Sequence, residues 1–203
     1  MKRQLSLRVL MVVLGSAVMG LSIDLLVRAG FGLDPLSLFQ AGLSNVFGIT
    51  LGQASQVLMV SILLVLLFID RRRVGIGTIL NSVLVGAFVG WFSPYILSVP
   101  GGAGSLGLRL ASAACGFLLM GIGIGAYISA CLGEAGVDAL MVYFSGKFRF
   151  NIRRTRIILD VLLAAAGFAL GGSLGWATLV SMVVNGYIIQ GTVRGVGKIV
   201  KWE

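Results

Sequence analysis

Apolar residues run along this chain in long stretches separated by short glycine-rich or basic segments. Six stretches, at 9–29, 51–69, 75–97, 108–130, 155–171 and 174–193, approach the roughly 20 residues a helix needs to cross about 30 Å of hydrocarbon. Each is predicted to be a transmembrane helix. Two shorter stretches lie among them, 34–46 ("DPLSLFQAGLSNV") and 136–146 ("GVDALMVYFSG"). At 1.5 Å per residue each reaches only about 20 Å as a helix, too short to cross. The first opens on Asp34-Pro35, an N-cap followed by a proline at the first helical position, where the missing N–H costs nothing. Both stretches are expected to be half-length helices that enter the membrane without traversing it.

The basic residues fix how these elements are threaded, because lysine and arginine collect on the cytoplasmic side of a bilayer. With a cytoplasmic N-terminus and neither short stretch crossing, the inside receives Lys2, Arg3, Arg8, Arg71, Arg72, Arg73, Lys147, Arg149, Arg153, Arg154, Arg156, Arg194, Lys198 and Lys201. The outside receives Arg28 and Arg109. If only the first short stretch crossed, "RRR" at 71–73 would move outside; if only the second did, the C-terminal cluster would be misplaced. Six spans with both termini cytoplasmic is the expected topology of a bacterial inner-membrane protein.

Sliding the chain on itself by 101 residues aligns Gly15, Met19 and Gly20 with Gly116, Met120 and Gly121, and Ile23, Ala29, Gly32, Ser44 and Phe47 with Ile124, Ala130, Gly133, Ser145 and Phe148. After a one-residue deletion Gly75, Thr78, Val83 and Gly86 fall on Gly175, Thr178, Val183 and Gly186. A single all-α membrane domain, 1–203, is therefore expected to hold two repeats, 9–97 and 108–193, each a span, a short helix and two more spans. Three spans per repeat force opposite orientations, so matched loops should differ in basic content. They do: "RRR" at 71–73 matches "GGS" at 171–173, and "NVFGITLGQ" at 45–53 matches "GKFRFNIRR" at 146–154.

Composition agrees. Hydrophobic residues make up 58% of the 203 positions and charged residues only 11%, with a mean hydropathy of +1.03, more apolar surface than a soluble fold of this length can bury. The formal charge of +9 sits in interhelical clusters, where it orients the chain in the bilayer; no nucleic-acid partner is expected. The stretch after Arg8 continues without a cleavage pattern and reads as a retained first helix. Cys115 and Cys131 lie in apolar stretches as small hydrophobes. There is no histidine, hence neither the commonest general base nor the commonest metal ligand. No nucleophile–base pair or metal cluster is visible, so the chain is not expected to be an enzyme or to carry a cofactor.

The remaining polar residues supply the candidate site. Paired half-helices in inverted repeats mark substrate or ion sites, because broken backbone is tolerated in a membrane only where protein or water satisfies it. Asp34, Ser37, Glu134 and Asp138 stand at the two starts, with Thr78, Asn81, Thr178 and Asn185 as a neighbouring polar wall. Each has a structural alternative: Asp34 as a cap, Glu134 and Asp138 as partners of Lys147 or Arg149, and the Thr and Asn side chains as interhelical hydrogen bonds. Asp24 is expected to pair with Arg28 four residues on, and Asp70 and Asp160 with their basic neighbours. Gly86/Gly90, Gly121/Gly125 and Gly167/Gly171 read as close-packing seams. Lys147, Arg149, Arg153 and Arg154 form a surface suited to anionic lipid.

The run "AGFGLDPLSLFQAGLSNVFGITLGQASQ" and the later "GIGTILNSVLVGAFVGWF" at 75–92 resemble the YczE/YyaS/YitT-like bacterial multi-pass membrane proteins, with their Gly-x-x-Pro turn after the first helix and a Gly-x-Gly-Thr stretch opening a later one. The resemblance covers nearly the whole chain and implies membrane location and this helical architecture. Relatives often carry Trp-Asp after the proline where this chain has Leu36-Ser37, and Asp138 takes the position matching Ser37, so the acid is present in one repeat only. Two functions remain open: a transporter or channel for a small solute, and a non-transporting partner supporting another membrane system. A homo-oligomer is compatible with both.

Overall fold

The computed structural model describes residues 2–98 and 105–199. The described residues form eight α-helices: α1 (Lys2–Ala29), α2 (Pro35–Phe47), α3 (Leu51–Ile69), α4 (Ile76–Ser98), α5 (Leu106–Ser129), α6 (Gly136–Phe148), α7 (Ile152–Ala169) and α8 (Trp176–Ile199). One 3-10 turn, Arg71–Arg73, joins α3 to α4. The expected short helices are both present, and each is 13 residues long. Asp34 caps α2, its Oδ2 accepting the Ser37 N–H at 3.3 Å, and Pro35 follows as the first helical residue. The helix stops at Gly48, whose left-handed backbone (φ 62°) turns its N–H back to the Ser44 carbonyl. At the end of α6 the same turn is made by Arg149 (φ 54°), returning its N–H to the Ser145 carbonyl.

Among the described residues, four helices are long and apolar enough to cross a membrane, at Gln4–Ala29, Leu51–Ile69, Ile76–Ser98 and Leu106–Ser129. The partition of side chains is the reverse of a soluble protein's. Outward-facing apolar residues include Phe68, 89% exposed, Leu179 and Val183, while Ser16, Ser22, Asp24, Gln40, Ser55 and Thr78 are almost wholly buried. Lipid rewards the first, and helix–helix hydrogen bonding accommodates the second.

At the centre α1 packs against α5 and α4, and α5 against α8. The α1–α5 crossing brings backbones together: a Cβ on Gly15 would stand 2.9 Å from the Gly123 carbonyl oxygen, and one on Gly123 would stand 2.8 Å from that of Gly15. Gly121 and Gly125 of α5 receive Ile188 and Thr192 of α8. Between α3 and α4, a Cβ on Gly52 would lie 2.6 Å from the Gly86 carbonyl oxygen and 2.7 Å from the Gly90 nitrogen. Gly167 admits the backbone of α2 at Leu38 and Phe39. Gly171, expected to extend that seam, instead makes a left-handed turn (φ 84°) after α7. α2 lies against α7 and α3, and α6 touches α7 and α3. Among the described residues α7 and α8 share no seam comparable to that of α3 and α4.

Candidate functional site

The connections that follow α1 and α5 hook onto the helices that close the opposite halves. Gly77 N–H donates to the Leu132 carbonyl at 2.9 Å, and Ala177 N–H donates to the Phe31 carbonyl at 3.1 Å. Thr78 and Thr178, both fully buried, hold these hooks. The Thr78 hydroxyl accepts the Gly75 N–H at 3.2 Å and donates to the Glu134 carbonyl at 2.7 Å; the Thr178 hydroxyl accepts the Gly175 N–H at 3.5 Å. Tyr127 adds a hydroxyl bond to the Gly133 carbonyl at 3.0 Å. Gly32 and Gly133, with φ of 107° and 125°, supply the backbone conformation these approaches need. Thr78 thus ties the start of α4 to the connection before α6, and Thr178 caps the start of α8.

The starts of α2 and α6 border one cavity of about 480 Å³, to which all eight helices contribute. Asp34, Pro35, Leu36 and Ser37 face it from one start, and Ala135, Gly136, Val137 and Asp138 from the other. Of the residues singled out from the sequence, Asp34, Ser37, Asn81, Asp138 and Asn185 line it. Thr78 and Thr178 stand outside the lining, in the hooks. Glu134 is also outside: its carboxylate faces the other way, accepting from Arg73 Nη1 at 3.0 Å, while Arg73 Nε holds Asp70 at 2.8 Å. Glu134 therefore ties the second connection to the 3-10 turn, and Lys147 and Arg149 are not its partners.

Asp138 pairs with Arg156 Nη1 at 3.4 Å, and Arg156 Nε reaches Asp160 at 3.6 Å. Asn81, 2% exposed, donates to Ser16 Oγ at 3.1 Å and so joins the cavity wall to α1. Asp24 departs from its expected pairing with Arg28: it is fully buried and accepts a hydroxyl bond from Ser93 at 2.6 Å. The cavity also exposes residues the sequence did not mark. Gln40, 1% exposed, stands three residues beyond Ser37 on the same face of α2. Its Oε1, Asp34 Oδ1 and Asn185 Oδ1 are buried without a hydrogen-bond donor. Five of the protein's seven methionines, Met19, Met59, Met120, Met141 and Met182, form much of the apolar wall.

A helical bundle with its polar residues inside, its apolar residues outside and a buried cavity at the starts of two short helices is an integral membrane protein. The chain belongs to a family of unknown function, DUF6198, whose sequence profile matches residues 6–194. It is similar to "Uncharacterized membrane protein YczE" of Bacillus subtilis (strain 168), 28% identical over 191 residues covering 94% of this chain and 87% of that one. It is also similar to an "Uncharacterized protein" of Haemophilus influenzae, 28% identical with 86% and 78% covered. "Uncharacterized protein YyaS" of Bacillus subtilis is 20% identical, with 87% and 88% covered. The expected YczE/YyaS-like membership is thereby established. No solved structure matches.

Proposed function

We propose that the protein is a small-solute transporter of the bacterial cytoplasmic membrane, with six transmembrane helices arranged as two inverted repeats, 9–97 and 108–193, and both termini cytoplasmic. The observation that carries this reading is that the starts of α2 and α6, distant in sequence, border a single cavity. Helix starts at a shared cavity are how inverted-repeat carriers build a solute path.

The repeat is supported by reciprocal geometry. The hooks pair Gly77 with Leu132 and Ala177 with Phe31, positions that exchange under the sequence slide. Ser44 and Ser145 each donate a hydroxyl bond five residues ahead, to Ile49 and Phe150, at 2.6 and 2.7 Å. The crossing of α7 and α8 is supported by the exposed Ile157, Val161 and Leu162 of α7 and Leu179, Val183 and Tyr187 of α8.

Transport by alternating access is supported by the way the halves differ. α3 and α4 meet backbone to backbone, whereas the cavity reaches between their counterparts α7 and α8 through Arg156, Asp160, Asn185 and Gln190. One sealed half and one parted half are what a carrier exchanges when it switches sides. The surface at Lys147, Arg149, Arg153 and Arg154, with exposed Phe148 and Phe150 beside it, suits anionic lipid at the cytoplasmic face; the side chain of Arg153, like those of Lys2, Arg3 and Lys201, lies outside the described residues.

The test is flux. Purified protein in proteoliposomes, screened against a panel of small solutes, should move at least one faster than protein-free vesicles. Asp138→Asn, which keeps shape and removes a charge facing the cavity, should change that flux while the protein still folds and inserts. A variant altered only in stability, with no flux in the parent, would favour the non-transporting partner.

A further inference from the structure

We infer that the occupant of this cavity is an amphipathic organic ammonium ion, an inference that rests on the cavity being the solute path. The apolar part is set by the wall. Methionine side chains are unbranched and polarisable, so they fit hydrocarbon groups of varied shape without demanding one outline. A cavity of about 480 Å³ lies within the range that takes drug-sized molecules, roughly 300–1,000 Å³.

The head group is set by what the wall lacks. Asp34 Oδ1, Gln40 Oε1 and Asn185 Oδ1 are all acceptors, each buried without a donor, and Gln40 and Asn185 are 1% and 8% exposed. A buried acceptor left unpaired costs about 1–3 kcal/mol, so a side-chain rotation that opens one of these oxygens to the cavity would be rewarded by an N–H or O–H group from its occupant. Charge narrows the choice. Asp138 and Asp160 share Arg156 at 3.4 and 3.6 Å, while Asp34 forms no salt bridge among the described residues and takes the Ser37 N–H on its other oxygen. Arg194 also borders the cavity but is exposed.

An anionic head would face three carboxylates, and the anion-binding start of α2 is already occupied by the Asp34 cap. A hydroxyl head would supply a donor and leave the Asp34 charge unmatched. A primary ammonium supplies three N–H donors and forms a charge-assisted bond to the carboxylate.

Three probes with one apolar body separate these alternatives: 1-adamantanammonium, 1-adamantanol and 1-adamantanecarboxylate. Binding is measured by calorimetry on the full-length protein in lipid nanodiscs, with empty discs subtracted for partition. The ammonium should bind about tenfold or more tightly than the alcohol, one charge-assisted contact being of that order, and the carboxylate should bind most weakly. Asp34→Asn keeps the helix cap, since asparagine is as good an N-cap as aspartate. It should abolish the preference for ammonium over alcohol. Gln40→Leu, which does not touch the cap, should weaken both donor-bearing probes severalfold. Equal or tighter binding of the carboxylate, no binding by any probe, or an unchanged ammonium preference in folded Asp34→Asn would overturn the inference. Ammonium binding without flux in proteoliposomes would leave it standing and remove the transport reading; flux of another solute with no ammonium binding would do the reverse.

Discussion

Placing a methyl group at Gly75 tests the hook between the second connection and α4. The Cβ of Gly75→Ala would run into the Leu132 carbonyl oxygen and stand 2.8 Å from its carbon and 2.9 Å from Gly133 Cα. All three are backbone atoms, so no side chain can rotate away. The carbonyl is held where it is by the Gly77 N–H at 2.9 Å. Relief therefore requires moving the start of α4 off the connection, losing a backbone hydrogen bond worth about 0.5–1.5 kcal/mol net and adding about 1–3 kcal/mol of overpacking. The expected loss is about 2–4 kcal/mol. Gly175→Ala meets the Phe31 carbonyl in the same way, with the carbonyl carbon at 2.6 Å and Gly32 N at 3.0 Å, and endangers the Ala177–Phe31 bond of 3.1 Å. Its loss should equal that of Gly75→Ala to within about 1 kcal/mol, the sum of the same two terms. Gly90→Ala is the control: nothing lies within 4 Å of its added Cβ, and alanine gains up to about 1 kcal/mol of helix propensity over glycine. Unfolding of each variant by sodium dodecyl sulfate in mixed micelles, followed by far-ultraviolet circular dichroism, gives the three differences. A Gly75→Ala protein as stable as Gly90→Ala would refute the hook, and a large effect at one of Gly75 and Gly175 alone would sink their equivalence.

Single cysteines placed at 46–50 and 147–151, in a background with the exposed Cys115 and Cys131 replaced by serine, should react with impermeant maleimide from outside and from inside respectively. Labelling of both loops from one side would be incompatible with inverted repeats. The buried Asn81–Ser16 bond of 3.1 Å should give a coupling of about 0.6–1.7 kcal/mol in a double-mutant cycle of Asn81→Ala and Ser16→Ala, the range found between membrane helices; a coupling of zero would show that the two do not act as a pair.

Much of the helical order was legible because its signals are local. Asp34-Pro35 announces a helix start to within a residue, and Gly48 announces its end. The end of α6 was harder to place: it runs to Phe148, past the expected 146, because the left-handed stop falls on Arg149, a residue type that gives no such warning. The partners of the charges were legible only within a helical turn, as for Asp70 with Arg73 and Asp160 with Arg156. Arg73 and Glu134 are 61 positions apart, Asp24 and Ser93 are 69 apart and Asp138 and Arg156 are 18 apart, so pairings chosen among nearer residues named the wrong partners for Asp24, Glu134 and Asp138. Thr78 and Thr178 stood out correctly as matched polar residues, but their depth said nothing of whether they faced a cavity or a backbone turn.

Gln40 and Gln190 show which part of the cavity wall stayed hidden. A glutamine in "SLFQAG" has no motif around it, and only the fold turns it toward the starts of both short helices. In the first half Gly52 lets α3 close on α4, since its added Cβ would lie 2.6 Å from the Gly86 carbonyl oxygen, and Arg153 takes the matching position in the sequence slide. Gly186 keeps the glycine that matches Gly86 while the match to Gly52 is lost, and the cavity reaches between α7 and α8. The same substitution of "RR" for "GQ" reads from the sequence as a charge that would orient the loop in the bilayer. On the proposed inverted-repeat topology one change would serve both ends: basic residues would hold the second half at the cytoplasmic face, and any side chain in place of Gly52 would deny it the seam that closes the first. The packing asymmetry of the two halves would then follow from the asymmetry the bilayer imposes on their loops.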